Sequence, residues 1–133
     1  MNQGKEMLIT EQITREDRGT FKSSLDSFAL RSLINNIKHD REWLNGGLKA
    51  LILERNPSKK ILLTVVRKGT QIKSFQADTS ITFQVIDGSL NLHFGNGSYT
   101  IRKGEIMIIN EKIKYKIDLL EDSAFLMILT SGN

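Results

Sequence analysis

From Leu48 to the end of the chain, apolar and polar residues mostly alternate, and the alternation stops at turn-forming residues. The pattern predicts nine short strands, near 48–55, 60–67, 70–76, 80–87, 89–95, 98–102, 105–109, 114–119 and 124–130. Alternation also assigns faces: Ile81, Phe83 and Val85 share one side, as do Leu90, Leu92 and Phe94. Tyr99 and Ile101 form a similar pair, and Tyr115, Ile117 and Leu119 a similar row. Two runs, Ile106 to Ile109 and Phe125 to Leu129, are apolar on both sides and need cover on both. A second sheet, a helix or another subunit can supply it, and a homodimer is the economical source.

The breaks have mechanisms. Asn56-Pro57-Ser58 carries the single proline, outside any strand, and Asn96-Gly97 predicts a type I′ hairpin turn. Lys68-Gly69, Asp87-Gly88 and Lys103-Gly104 each put glycine where a tight reversal needs positive φ. Many short strands with regular turns predict a β-sandwich or barrel, closed so that few edges stay exposed.

Ahead of the strands the period changes. Leu25, Phe28, Ala29 and Leu33, with Leu30, Ile34 and Ile37, predict a helix over 24–38 with Ser23 or Ser24 as N-cap. The stretch from His39 to Leu44 continues that helix or breaks away, and Asn45-Gly46-Gly47 ends it. Such an amphipathic helix is read as cover for one face of the domain rather than as a docking surface. The alternation from Met7 to Ile13 leaves two readings open, a loose tail or a strand that pairs elsewhere. The expected division is a polar segment at 1–22, a helical region at 23–47 packing on the barrel, and a β domain at 48–133.

Composition narrows the chemistry. The 133 residues are one domain's worth, and with no cysteine, disulfides, thiolate catalysis and cysteine metal sites are excluded. The start lacks the apolar run of a signal peptide, and no apolar segment approaches the ~18 residues of a membrane span. A cytoplasmic protein with no membrane partner is expected. The net charge is +4, and residues 59–116 hold ten Lys/Arg against four Asp/Glu. Its lysines mostly alternate with apolar residues, as on a solvated strand face, so nucleic acid is not the expected partner.

Two segments then stand out. Gly69 to Gly88 is a strand, a polar break and a second strand closed by glycines, and Gly104 to Tyr115 answers it. This arrangement resembles a small single-domain cupin, over about residues 48–130. The resemblance implies a mostly β fold, a jelly-roll β-barrel, here with a short N-terminal helical region. The first cupin motif runs glycine, five residues, His, one residue, His, three or four residues, Glu, six residues, glycine. Started at Gly69, it puts the ligand slots at Phe75, Ala77 and Ile81, and the closing glycine falls on Gly88. The second motif starts at Gly104-Glu105 and places its proline slot at Asn110, its inner glycine slot at Lys112 and its histidine slot at Tyr115.

The family's metal chemistry does not carry over. Catalytic cupins hold a divalent ion with imidazoles and a carboxylate, and Phe75, Ala77 and Ile81 offer no lone pair. Tyr115 alone is a poor ligand, since its phenol would have to ionise from a pKa of ~10. His39 lies at the helix end, and His93, between Leu92 and Phe94, points away from the inward face by alternation. No metal, no cofactor and no catalytic residue are therefore expected. Glu105 and Glu111 show no sign of converging, and Gly95-Asn96-Gly97 is a hairpin rather than a phosphate loop, because no helix follows it.

The replacements have a positive reading too. Phe75, Ala77, Ile81, Phe83 and Tyr115 make an apolar interior with one phenol, and Lys73 could bring a charge to its mouth. That interior is either a filled core or a pocket for a small apolar or aromatic molecule. The expectation is a metal-free cupin that binds such a molecule, or a protein partner, without catalysis. The alternative is a metal-independent isomerase or epimerase with Tyr115 as acid.

Overall fold

The computed structural model describes residues 6–7, 25–75, 79–111 and 113–131. The chain runs through β1 (Glu6–Met7), the helices α1 (Leu30–Lys38) and α2 (Arg41–Gly46), then β2 (Leu48–Asn56) and β3 (Lys59–Val66). It continues with β4 (Gln71–Phe75), β5 (Thr79–Asp87), β6 (Ser89–Phe94) and β7 (Gly97–Arg102). The last strands are β8 (Ile106–Ile109), β9 (Lys114–Asp118) and β10 (Ser123–Ser131). All nine predicted strands are present. β1 pairs in parallel with β4 through Glu6 and Met7, and the remainder of the Met7–Ile13 alternation lies outside the described residues.

The strands form two five-stranded sheets, ordered β1-β4-β9-β6-β7 and β2-β3-β10-β5-β8. Consecutive strands repeatedly change sheet, as a jelly roll requires. The expected closure is corrected in one respect. No ladder joins the two sheets among the described residues, so β7 and β8 remain edges, and the sheets are held mainly by the side chains packed between them.

Faces follow the predicted alternation because each strand has one side to bury. Leu62, Ile72, Phe83, Leu92, Ile117 and Phe125 are fully buried between the sheets, within one apolar cluster. A second cluster lies on the outer side of the β3–β10 pair, where Ile34, Ile37 and Trp43 from the helices meet Leu63, Val65 and Ala124. Trp43 Nε1 also donates to the Val65 carbonyl at 3.1 Å, so the indole buries its ring without stranding its N–H. On β8 the cover runs out: Met107 and Ile109 face inward, while Ile106 and Ile108 are each 58% exposed.

The helix prediction was too long. Helix α1 begins at Leu30, behind Ala29, which offers no side-chain cap, and residues 25–29 are irregular. Ser23 and Ser24 lie outside the described residues. The reason is contact: Leu25 is 79% exposed, whereas Ile34 and Ile37 reach the sheet. Apolar spacing without a surface to bury against does not offset the cost of nucleating a turn. After α1 the chain breaks at His39, and Asp40 starts a new helix by accepting from Glu42 N–H at 2.8 Å.

The hairpin turn also differs from expectation. Phe94 pairs with Gly97, so the two loop residues are Gly95 and Asn96. Gly95 has φ 56° and, among the described residues, no non-glycine residue has positive φ, which is the type II′ rather than the type I′ pattern. Gly97 is instead taken into β7, where the Tyr99 ring lies over it and stacks on Phe94 at 5.1 Å.

Ion pairs fasten the helices to the sheet. Lys49 bonds Asp40 at the start of α2, and Arg31 on α1 donates to both carboxylate oxygens of Asp87 at 2.5 and 3.1 Å. The hydrogen bond from Arg31 holds the Asp87 carboxyl below its ordinary range, against an opposing push from burial. A carboxylate depressed in the folded state stabilises fully above its unfolded pKa and loses that contribution as pH falls through the folded one. Asp87→Asn is therefore expected to lower the urea midpoint at neutral pH, with the gap to wild type closing as pH falls below the ordinary carboxylate range. A pH-independent gap would show that the pair does not act through charge.

Candidate functional site

The segment from Gly69 to Gly88 is built as two strands in different sheets, β4 and β5, with a reversal at each end. Gly69, Gly88 and Gly104 have φ of 88°, 79° and 85°, the conformation expected of them. Phe75 ends β4 with its backbone paired to Lys114; its side chain, and Ala77 entirely, lie outside the described residues. Ile81 and Phe83, on β5, are 1% and 0% exposed, and Tyr115, on β9, is 4% exposed. The Phe83 ring meets Tyr115 edge-on at 5.7 Å and Phe125 at 6.0 Å. Three of the six predicted residues thus come together as packed aromatic and aliphatic core.

A divalent ion does not fit this set. Ile81 and Tyr115, at two of the four ligand slots, are embedded in hydrocarbon, and among the described residues no three His, Asp or Glu side chains converge. His39 is engaged at the end of α1, its Nδ1 lying 2.8 Å from the Asn35 carbonyl.

Polar chemistry gathers instead at one end of the β9–β6 seam. Their ladder has three pairs, Asn91 with Asp118, Leu92 with Ile117 and His93 with Lys116, and stops there although both strands run on. Beyond the last pair lies an open cleft of ≈ 510 Å³. Phe94, Gly95 and Tyr115 line it together with four basic side chains, Lys73, His93, Lys114 and Lys116. Lys73 is exposed and Tyr115 is buried, yet both reach this one cleft, from neighbouring strands of one sheet.

His93 faces outward, as its place between Leu92 and Phe94 predicted. Its Nε2 lies 2.8 Å from Asp118 Oδ2, while Gln71 Nε2 donates to Asp118 Oδ1 at 2.8 Å. An ionised carboxylate only accepts, so Nε2 carries the proton in this bond. Asp118, fixed from both sides, orients the imidazole. The sequence reading missed this cluster. Parity placed His93 outward, but only the pairing of β4, β9 and β6 brings Gln71 and Asp118 to it.

No family model matches the chain, and no curated protein matches it. Solved structures do. An uncharacterized conserved protein with a double-stranded β-helix domain from Klebsiella pneumoniae subsp. pneumoniae superposes with a TM-score of 0.65 at 18% identity, covering 84% of this chain and 93% of that one. The Cnp3 cupin domain of Schizosaccharomyces pombe gives 0.57 at 16%, covering 63% of this chain and 64% of that one. An HTH_3 family transcriptional regulator from Vibrio cholerae gives 0.59 at 14%, with 67% of this chain matched but only 53% of the regulator. The ten described strands, their division between two sheets, the left-handed conformation of Gly69, Gly88 and Gly104, and these superpositions together establish that the chain has the cupin, or double-stranded β-helix, fold.

Proposed function

We propose that this chain is a metal-independent, non-catalytic cupin that binds a small aromatic or apolar molecule at the cleft where β6 and β9 part. The observation that carries the reading is a cleft of ≈ 510 Å³ walled by Phe94 and Tyr115 and bordered by Lys73. That volume lies within the ~300–1,000 Å³ of small-molecule sites, and aromatic walls supply large apolar contact with a polar tip. The interior between the sheets supports binding less well, since Ile81, Phe83 and Tyr115 already pack there. Likeness to part of a transcriptional regulator supports a sensing use of such a site, the output resting with another domain or protein.

A second reading, a metal-independent isomerase or epimerase, draws on the same juxtaposition of Tyr115 and Lys73 at one cleft. One experiment addresses both. Titrating a panel of aromatic fragments should move the amide resonances of Phe94, Gly95, Lys114 and Lys116, and Tyr115→Phe should leave affinity within about threefold, the effect of one peripheral hydrogen bond. Fragments that perturb only other regions would sink the binding reading. Turnover of a bound fragment that Tyr115→Phe abolishes would favour the enzyme.

A further inference from the structure

Sheet edges are normally guarded by charge, proline or bulges, because a bare row of N–H and C=O groups pairs with other chains. Edge strand β2 is guarded: it carries Lys49, Glu54 and Arg55, and its register with β3 shifts between Ile52 and Glu54. Edge strand β7 turns Ser98, Thr100 and Arg102 outward. Strand β8, at the far edge of β2's sheet, is Ile106-Met107-Ile108-Ile109, without charge or proline, and Ile106 and Ile108 are exposed.

The backbone of β8 is exposed in the same pattern. Val85 N–H donates to the Glu105 carbonyl at 3.0 Å, and the pairs Phe83–Met107 and Ile81–Ile109 continue that register. Alternate residues of an antiparallel ladder exchange hydrogen bonds, so residues 105, 107 and 109 turn their N–H and C=O to β5. Those of Ile106 and Ile108 point out of the sheet edge, where no described strand pairs with them.

An antiparallel copy of β8 offers matching groups, provided that even-numbered residues meet even-numbered ones. A twofold axis beside Met107 sets Ile106 against the partner's Ile108 and Ile108 against the partner's Ile106. Each of these pairs exchanges two hydrogen bonds, and the exposed isoleucines gather on one face. The same register brings the turn residue Lys103 opposite the partner's Glu111, both exposed. Moving the axis to Ile108 sets Glu105 against the partner's Glu111, a like-charge pair, and moving it to Ile106 leaves Ile108 facing the partner's Gly104. We propose that β8 is a self-recognition edge, through which two copies of this chain join antiparallel about Met107 and continue the sheet across a dimer. This surface is independent of the cleft at β6 and β9.

Sedimentation of the full chain at micromolar concentrations should show a monomer–dimer equilibrium and nothing larger, because a twofold contact closes on itself. Ile108→Pro removes an N–H that β5 does not use, so it should abolish the dimer while circular dichroism stays native. Lys103→Glu should weaken the dimer about tenfold, since two exposed attractive pairs become repulsive, and adding Glu111→Lys should restore it. Both side chains are exposed, so this charge exchange carries the test even where Ile108→Pro fails to fold. A monomer at every concentration, or a larger assembly, overturns the inference. So does a dimer indifferent to a folded Ile108→Pro, or a Lys103→Glu variant that binds unchanged or that Glu111→Lys does not rescue.

Discussion

Gly88→Ala is expected to destabilise the protein by about 2–6 kcal/mol, far more than one added methyl group usually does. Two effects combine. At φ 79° an L side chain sits in the left-handed region, which costs ~1–3 kcal/mol. A Cβ at this position would also overlap the Asp122 carbonyl oxygen and Ser123 Oγ, and approach Ser123 Cα to 2.8 Å. Those atoms cannot yield easily. Ser123 is 1% exposed, its hydroxyl accepts from Ser89 N–H at 3.1 Å, and it lies within 3.0 Å of the Glu121 and Ser89 carbonyls. Forcing this junction of β5, β6 and β10 apart adds ~1–3 kcal/mol of overpacking. Gly69→Ala is the control: φ is 88° there, but a Cβ would meet nothing within 4 Å, so only the backbone term applies. Urea denaturation of the two variants checks this. Equal losses would mean that close approach at Gly88 contributes nothing.

Phe83→Ala is expected to cost about 3–5 kcal/mol, the usual toll for truncating a buried aromatic ring. Phe83 is 0% exposed, centred between Tyr115 and Phe125, and flanked on its strand by Ile81 and Val85. The loss combines the transfer free energy of the ring with the cavity left between the two sheets. A loss below about 1 kcal/mol, read from denaturant midpoints, would show an interior loose enough to act as a pocket. The variant therefore decides between the filled-core and pocket readings of Ile81, Phe83 and Tyr115.

How much of this was written in the residues differs from element to element. Strands were legible because each buries one face: Ile81, Phe83 and Val85 on β5 are read as inward at period two, and all three are buried. The positive φ of Gly69, Gly88 and Gly104 was legible because only glycine adopts it cheaply. The start of α1 was not, because residues 25–29 have helical spacing but Leu25 is left 79% exposed. The hairpin was found one residue off, since glycines flank Asn96 on both sides and either can supply the left-handed position.

The candidate site divides the same way. The two cupin motif segments and the lack of ligands at Phe75, Ala77, Ile81 and Tyr115 come from counting along one dimension. Period-two alternation likewise settles that His93 faces away from Leu92 and the core. What no count along the chain supplies is register between distant strands. Pairing of β4, β9 and β6 sets Lys73 opposite Lys116 and Lys116 opposite His93, and brings Asp118 within 2.8 Å of His93 across 25 positions of sequence. Side-chain direction is a local property of the backbone, so the sequence determined it. Which outward side chains become neighbours depends on how sheets assemble around a shared core, and that was decided only by the tertiary structure.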